Sequence, residues 1–147
     1  MQTFLVTNDL EKNAQYLDRQ RLGKQRVECL QIMKAITNPD YGWQNHPIVN
    51  MWRGYEFALL SYTSAICSEW KNRGYKDTCY EKTLNIFKEY NKGKEIKQIE
   101  FHMPEWVNDV ELHESHKSNL LRKNEEHYSK FGWITSKNLD YKWIDMD

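Results

Sequence analysis

Residues 18–36 read DRQRLGKQRVECLQIMKAI. At about 100° per residue, Leu22, Cys29, Met33 and Ile36 fall in one narrow stripe, which predicts a helix with a core-facing side. Arg21, Lys24 and Glu28 project from the opposite side. Arg26 comes within about 40° of the stripe's centre and Arg19 within about 60°, so neither points simply into bulk water. A buried unpaired charge is costly, and an arginine beside a core stripe requires a partner or a polar cavity. Four cations within eight residues face only Asp18 and Glu28, which points to an anion near this helix.

Outward from it, Asn38-Pro39-Asp40 and Gly42 break the chain, and HPIVNMWRGYEFALLSYTSAICSEWKNRGY at 46–75 begins a second helix. Pro47 suits the first helical position and Gly74 the C-terminal cap. Between them Ile48, Met51, Trp52, Tyr55, Ala58, Leu59, Tyr62 and Ile66 recur at spacings of three and four, predicting one long central helix. A third helix is expected from Asp77 to Tyr90, a loop over 92–98, and a shorter amphipathic helix within ELHESHKSNLLRKNEEHY at 111–128. The aromatic tail FGWITSKNLDYKWIDMD is expected to pack rather than float free.

A chain of 147 residues suits a single domain, 1–147, that buries roughly two-thirds of its unfolded surface. Lys plus Arg and Asp plus Glu number 21 each, so no global field steers the protein to nucleic acid or membrane, and any anion site is local. Aromatics reach 14%, against six Gly and three Pro, which favours a compact, helix-rich domain. Cys29, Cys67 and Cys79 lack C-x-x-C spacing, and Cys29 and Cys67 lie in apolar stripes; core thiols of a reduced, cytoplasmic protein are expected. The chain shows neither a signal peptide nor a membrane span.

His113 and His116 share a helical face near His102 and His127, but no matching carboxylate or cysteine motif accompanies them, so no metal and no cofactor is expected. The basic cluster, Leu121-Arg122-Lys123, and Trp43, Trp52 and Trp133 suggest a nucleic-acid surface, with cations on phosphates and aromatic faces on unpaired bases. On the alternative reading, Trp52 packs inward with Met51 and Tyr55 and the cations are solvated.

Taken together, MQTFL at the start, LDRQRLGKQRVE at 17–28, GWQNHPIVNMWRGYEFALLSY at 42–62, EWKNRGY at 69–75 and PEWVNDVELHESHKSNLLRK at 104–123 resemble the pyrimidine-dimer DNA glycosylase family. It is also called endonuclease V of the pyrimidine-excision type, and the likeness is to a bacterial and viral branch. The resemblance implies an all-α fold of three to five helices with the N-terminal segment threaded against the helix core. Its α-amine would attack C1′ of a damaged nucleotide, expel the base and form an imine from which β-elimination breaks the strand. An α-amino group titrates near about 7.7 to 8.0 and is partly neutral at cellular pH.

Two departures accompany the resemblance. The family's assisting glutamate falls at Gln25, flanked by Lys24 and Arg26, and an amide cannot accept a proton as a carboxylate does. Asp18 or Glu28 then takes that role, or the chemistry differs; Tyr16 also stands where typical members carry a histidine. Gln2 is too large for removal of the initiator methionine, so the nucleophilic amine belongs to Met1. His46 is a candidate for catalysis or for helix capping. The expected DNA contacts are Gln2, Arg19, Arg21, Lys24, Arg26, Trp43, Trp52, Arg53, Arg122 and Lys123, with Lys24 and Arg26 lining a cleft that Arg21 guards.

The expected function is a monomeric DNA glycosylase, with or without AP lyase activity, that removes a damaged or modified base, expected to be a pyrimidine, from duplex DNA in base excision repair. The alternatives are a catalytically altered nucleic-acid-binding protein on the same scaffold and a hydrolase of modified nucleotides or RNA.

Overall fold

The computed structural model describes residues 1–146 and, among them, is all-helical with no strand. Seven α-helices follow in order: α1 Leu10–Tyr16, α2 Arg19–Thr37, α3 Pro47–Trp52, α4 Glu56–Asn72, α5 Cys79–Tyr90, α6 Val110–Lys123 and α7 Glu125–Tyr128. Short 3-10 turns occupy Ile96–Gln98, Glu105–Asn108 and Ser129–Phe131. The count exceeds the expected three to five because two of the expected helices are each divided and a short one precedes α2.

The long central helix is in fact α3 and α4. Gly54, at φ +89°, takes a left-handed conformation that L side chains adopt reluctantly, and the Tyr55 N–H closes the turn on the Trp52 carbonyl at 2.7 Å. The apolar spacing keeps its phase across the break, so periodicity conceals it. Further on, Asn124 ends α6 and caps α7 by accepting from the His127 N–H.

α2 packs against α3, α4 and α5, while α1 lies on α4. Leu22, Cys29 and Met33 of α2 join Ile48, Met51, Leu59 and Tyr62 in one buried cluster, as the stripes require. Gly23 lets α4 come close: a Cβ there would sit 2.9 Å from the Trp70 ring. The three cysteines are buried and unpaired.

Residues 2–5 form neither helix nor turn and run into this core, and they are buried together with Val6 at the bend that follows. Buried backbone N–H and C=O groups must find partners, and with no strand alongside, side chains supply them. Thr3 N–H donates to Gln2 Oε1, Phe4 N–H to Gln25 Oε1, Leu5 N–H to His116 Nδ1 and Val6 N–H to Asn13 Oδ1, all at 2.8–2.9 Å. Gln25 Nε2 returns a bond to the Gln2 carbonyl at 2.7 Å, and the Phe4 carbonyl accepts from Asn13 Nδ2 and the Tyr62 hydroxyl. Four helices thus lend polar side chains to one strand-like segment.

The C-terminal tail is strapped along α6 in a similar way. Leu139 N–H donates to Ser118 Oγ and Lys142 N–H to Ser115 Oγ, each at 3.0 Å. Arg122 binds the carbonyls of Lys137 and Leu139, and Lys142 Nζ pairs with Asp109 and Glu111.

Candidate nucleic-acid site

The threaded segment brings Met1 and Gln2 to a cavity of about 290 Å³, lined also by Phe4, Gln20, Arg21, Lys24, Glu28, Lys123 and Tyr141. Gln20, Arg21, Lys24 and Glu28 form the outward face of α2, one helical turn apart. Lys123 comes from the end of α6 and Tyr141 from the strapped tail. Burial raises the Glu28 carboxyl above its ordinary value, while the Met1 amine, Lys24, the Gln2 backbone N–H and Lys123 pull it down. A carboxyl raised by burial and still faced by positive charge can take up and return a proton.

Of the expected site residues, Met1, Gln2, Arg21, Lys24, Glu28 and Lys123 meet here. The others do not line the cavity, and their contacts say why. Gln25 is 1% exposed with both ends of its amide bound to the N-terminal backbone, so it holds that segment rather than facing a substrate. Asp18 accepts from the Tyr128 hydroxyl and from Asn124 Nδ2 and pairs with Arg21, which ties α2 to α7.

Arg26 does not line the cleft. Its guanidinium sits 2.7 Å from the Asp77 carboxylate and stacks 4.7 Å over the Trp70 ring, on the side of α2 that faces α4 and α5. Burial pushes Asp77 up, but the Tyr80 N–H, Arg26 and the Cys79 N–H more than reverse this, and its carboxyl lies below the ordinary value. Arg19 lies over the Tyr75 ring at 5.7 Å. The four-cation cluster therefore divides: Arg26 is packed and paired, Arg19 lies exposed beside Tyr75, and Arg21 and Lys24 reach the cavity.

Trp52 is 1% exposed and is not a surface for a base; its Nε1–H donates to Thr3 Oγ1 and its ring abuts Trp106. Trp43 is exposed and edge-on to His46. His46 caps α3 by accepting from the Ile48 N–H at 3.1 Å; burial and then the Met1 amine lower its pKa, so it lies within electrostatic range of the cavity. Arg53 donates to the Gln44 carbonyl and lines a separate groove with Trp106 and Trp143. Arg122 is committed to the tail.

Gln20, Phe4 and Tyr141 were absent from the sequence-derived set. Gln20 had a signal, since it stands four residues before Lys24 and eight before Glu28. Tyr141 had none, because nothing in an irregular tail tells which ring turns inward. His113 and His116 bond to the Val107 carbonyl and the Leu5 N–H. Among the described residues no group of three or more His, Cys, Asp or Glu is placed to hold a metal ion.

An all-α protein that gathers an amine, a raised carboxyl and three surface cations around one cavity has the chemical groups of an enzyme acting on a phosphate polymer. The model of the pyrimidine dimer DNA glycosylase family matches residues 1–83, and the chain belongs to that family. No curated protein and no solved structure matches it. Family membership makes the protein a DNA glycosylase in the general sense, with DNA as its substrate. No helix among the described residues is long and apolar enough to cross a membrane.

Proposed function

We propose that the protein excises a modified pyrimidine from duplex DNA, with the Met1 α-amine as nucleophile and Glu28 as the carboxylate that assists it. The observation that carries this reading is the single cavity in which Met1 and Glu28 meet with Arg21, Lys24 and Lys123 at its wall. Cations at a cavity mouth bind the phosphates flanking an extruded nucleotide, because phosphate contacts position the duplex without reading sequence.

The amine lone pair forms the N–C1′ bond as the C1′–N1 pair departs with the base, and Glu28 takes a proton from the resulting ammonium. The sugar ring then opens, its oxygen takes a proton from water, and an imine links Met1 to the DNA. Loss of the C2′ proton expels the 3′-phosphate, which is the lyase step. Glu28 replaces Gln25 in the assisting role. The protein acts as a monomer, without metal or cofactor, in the cytoplasm.

Borohydride reduction in the presence of a pyrimidine-dimer or abasic duplex, followed by peptide mapping, tests this reading. The expected product is an adduct on the amine of Met1, lost in Glu28→Gln when the lesion retains its base. Base release with no adduct would remove the amine from the mechanism and leave water activated by Glu28. Binding without turnover would favour the non-catalytic alternative.

A further inference from the structure

We infer that Tyr141 is a further catalytic residue, whose phenol donates a proton to the pyrimidine as it leaves; the inference rests on the reading of Met1 as nucleophile. Tyr141 lies outside the stretch matched by the family model, yet it lines the same cavity as Met1 and Glu28. Its position is built rather than incidental. The residues two before and one after it, Leu139 and Lys142, are pinned by their backbone N–H groups to Ser118 and Ser115 of α6. Its ring is held edge-on to His116 at 5.7 Å and beside Phe4 at 6.1 Å, so the tail, the N-terminal segment and α6 fix it together.

Among the described residues no protein group hydrogen-bonds its hydroxyl, although the ring is half-buried and firmly packed. A positioned O–H without a protein partner, on a residue that lines the cavity, is available to a substrate. Burial first, and Glu28 second, push the phenol up to about 12 against the pull of Arg122 and Arg21. It therefore remains protonated across the physiological range and acts as a donor.

Expulsion of a pyrimidine puts a negative charge on N1 and its C2 carbonyl oxygen, and a general acid at the leaving group is the effective catalyst for such a step. The proton account closes within the cavity. The amine nitrogen forms its bond to C1′ and gives a proton to Glu28, the C1′–N1 pair leaves with the base, and Tyr141 protonates that base. Glu28 then returns its proton to the Tyr141 phenolate by way of water in the cavity, leaving both groups as they began. One carboxylate and one phenol thus convert an anionic leaving group to a neutral one without an outside acid.

The test compares wild type with Tyr141→Phe, which keeps the ring and its packing, on two substrates: a duplex with a pyrimidine dimer and a duplex with a preformed abasic site. Glycosidic cleavage at the dimer is expected to fall about 100-fold, while imine trapping at the abasic site, where no base must leave, changes less than about threefold. A ring-fluorinated tyrosine at 141, with its more acidic phenol, is expected to restore cleavage. An equal fall in both reactions would show that Tyr141 only positions the N-terminal segment, and no fall in either would show that its hydroxyl is idle; each overturns the inference. If wild type traps no imine at all, the amine mechanism fails before any variant is compared, and this inference goes with it.

Discussion

Gln25 ties the amino-terminal segment to α2 at two points, and Gln25→Leu removes both ends of its amide at once. The Gln2 carbonyl and the Phe4 N–H, bonded at 2.7 and 2.9 Å, would be left buried without partners. Each such group costs about 1–3 kcal/mol, or about 2–6 kcal/mol for the pair. The segment has one escape, which is to undock. Undocking exposes Phe4, Leu5 and Val6, all under 8% exposed, at about 1.5–3 kcal/mol each. Because that loss is the larger, the segment stays docked and the cost falls on global stability. A fall in Tm on the order of 10 °C is expected, with imine trapping at an abasic duplex reduced as the amine loses its alignment.

Gln25→Glu sharpens the test, because the family's pattern suggests that a carboxylate here should speed the reaction. The contacts predict the reverse. A carboxylate oxygen would face the Gln2 carbonyl oxygen at the present 2.7 Å contact, and only the protonated acid can donate there. Its folded pKa would rise above the ordinary value of about 4.3, so the native state would bind more protons than the unfolded one and stability would fall as pH rises. Urea unfolding at about pH 4.5 and 7.5 is expected to find this variant near wild type in acid and much weaker at neutrality. A variant as stable as wild type at both, with faster imine formation, would refute the structural role and return the catalytic carboxylate to position 25.

Alanine at Arg21, Lys24 or Lys123 is expected to flatten the log–log salt dependence of DNA affinity by about one unit each, while Arg26→Ala lowers Tm and leaves that slope unchanged; fluorescence titration against salt reads both. The Asp77 carboxyl is depressed in the folded state, so its contribution is present above the unfolded value of about 3.9 and disappears as pH falls through the folded one. Asp77→Asn should therefore be less stable than wild type at pH 7 and converge on it in strong acid, as monitored by circular dichroism. His116 is held neutral, its pKa lowered to about 3 by burial and then by His113; between there and the unfolded value of about 6.5 the unfolded chain binds the extra proton, and stability should decline as pH drops through that window, less steeply in His116→Asn. Gly23→Ala brings a Cβ to 2.9 Å from a Trp70 ring that is itself held between Arg26 and Tyr75, so about 1–3 kcal/mol of overpacking cost is expected in urea unfolding.

The sequence was most legible where a stripe met a core. Leu22, Cys29 and Met33 marked the buried side of α2, and the same wheel set Arg21, Lys24 and Glu28 together on the side that now lines the cavity. It also showed that Arg26 required a partner, though not which one: Asp77 lies 51 residues away, and its pairing exists only once α5 has packed on α2. Helix breaks were less legible, since the spacing from Met51 to Leu59 keeps its phase through Gly54. The role of Gln25 could not be read locally at all. A glutamine among cations looks like a lost catalytic group until the extended chain that it binds is placed beside it.

That extended chain also explains an otherwise odd inventory of buried polar residues. Asn13 of α1, Gln25 of α2, Tyr62 of α4 and His116 of α6 are all less than 2% exposed, and each bonds to the backbone of residues 2–5 or, for Asn13, of Phe4 and Val6. A helical protein that buries such a segment has no neighbouring strand to satisfy it, so its backbone groups must be met by side chains sent from several helices. Such a segment cannot slide by one residue as a strand can slip in a ladder, because its partners come from four helices at fixed heights. The position of Met1 is therefore set by the whole bundle. On the proposed mechanism, an amine held in this way loses little entropy on reaching a bound sugar.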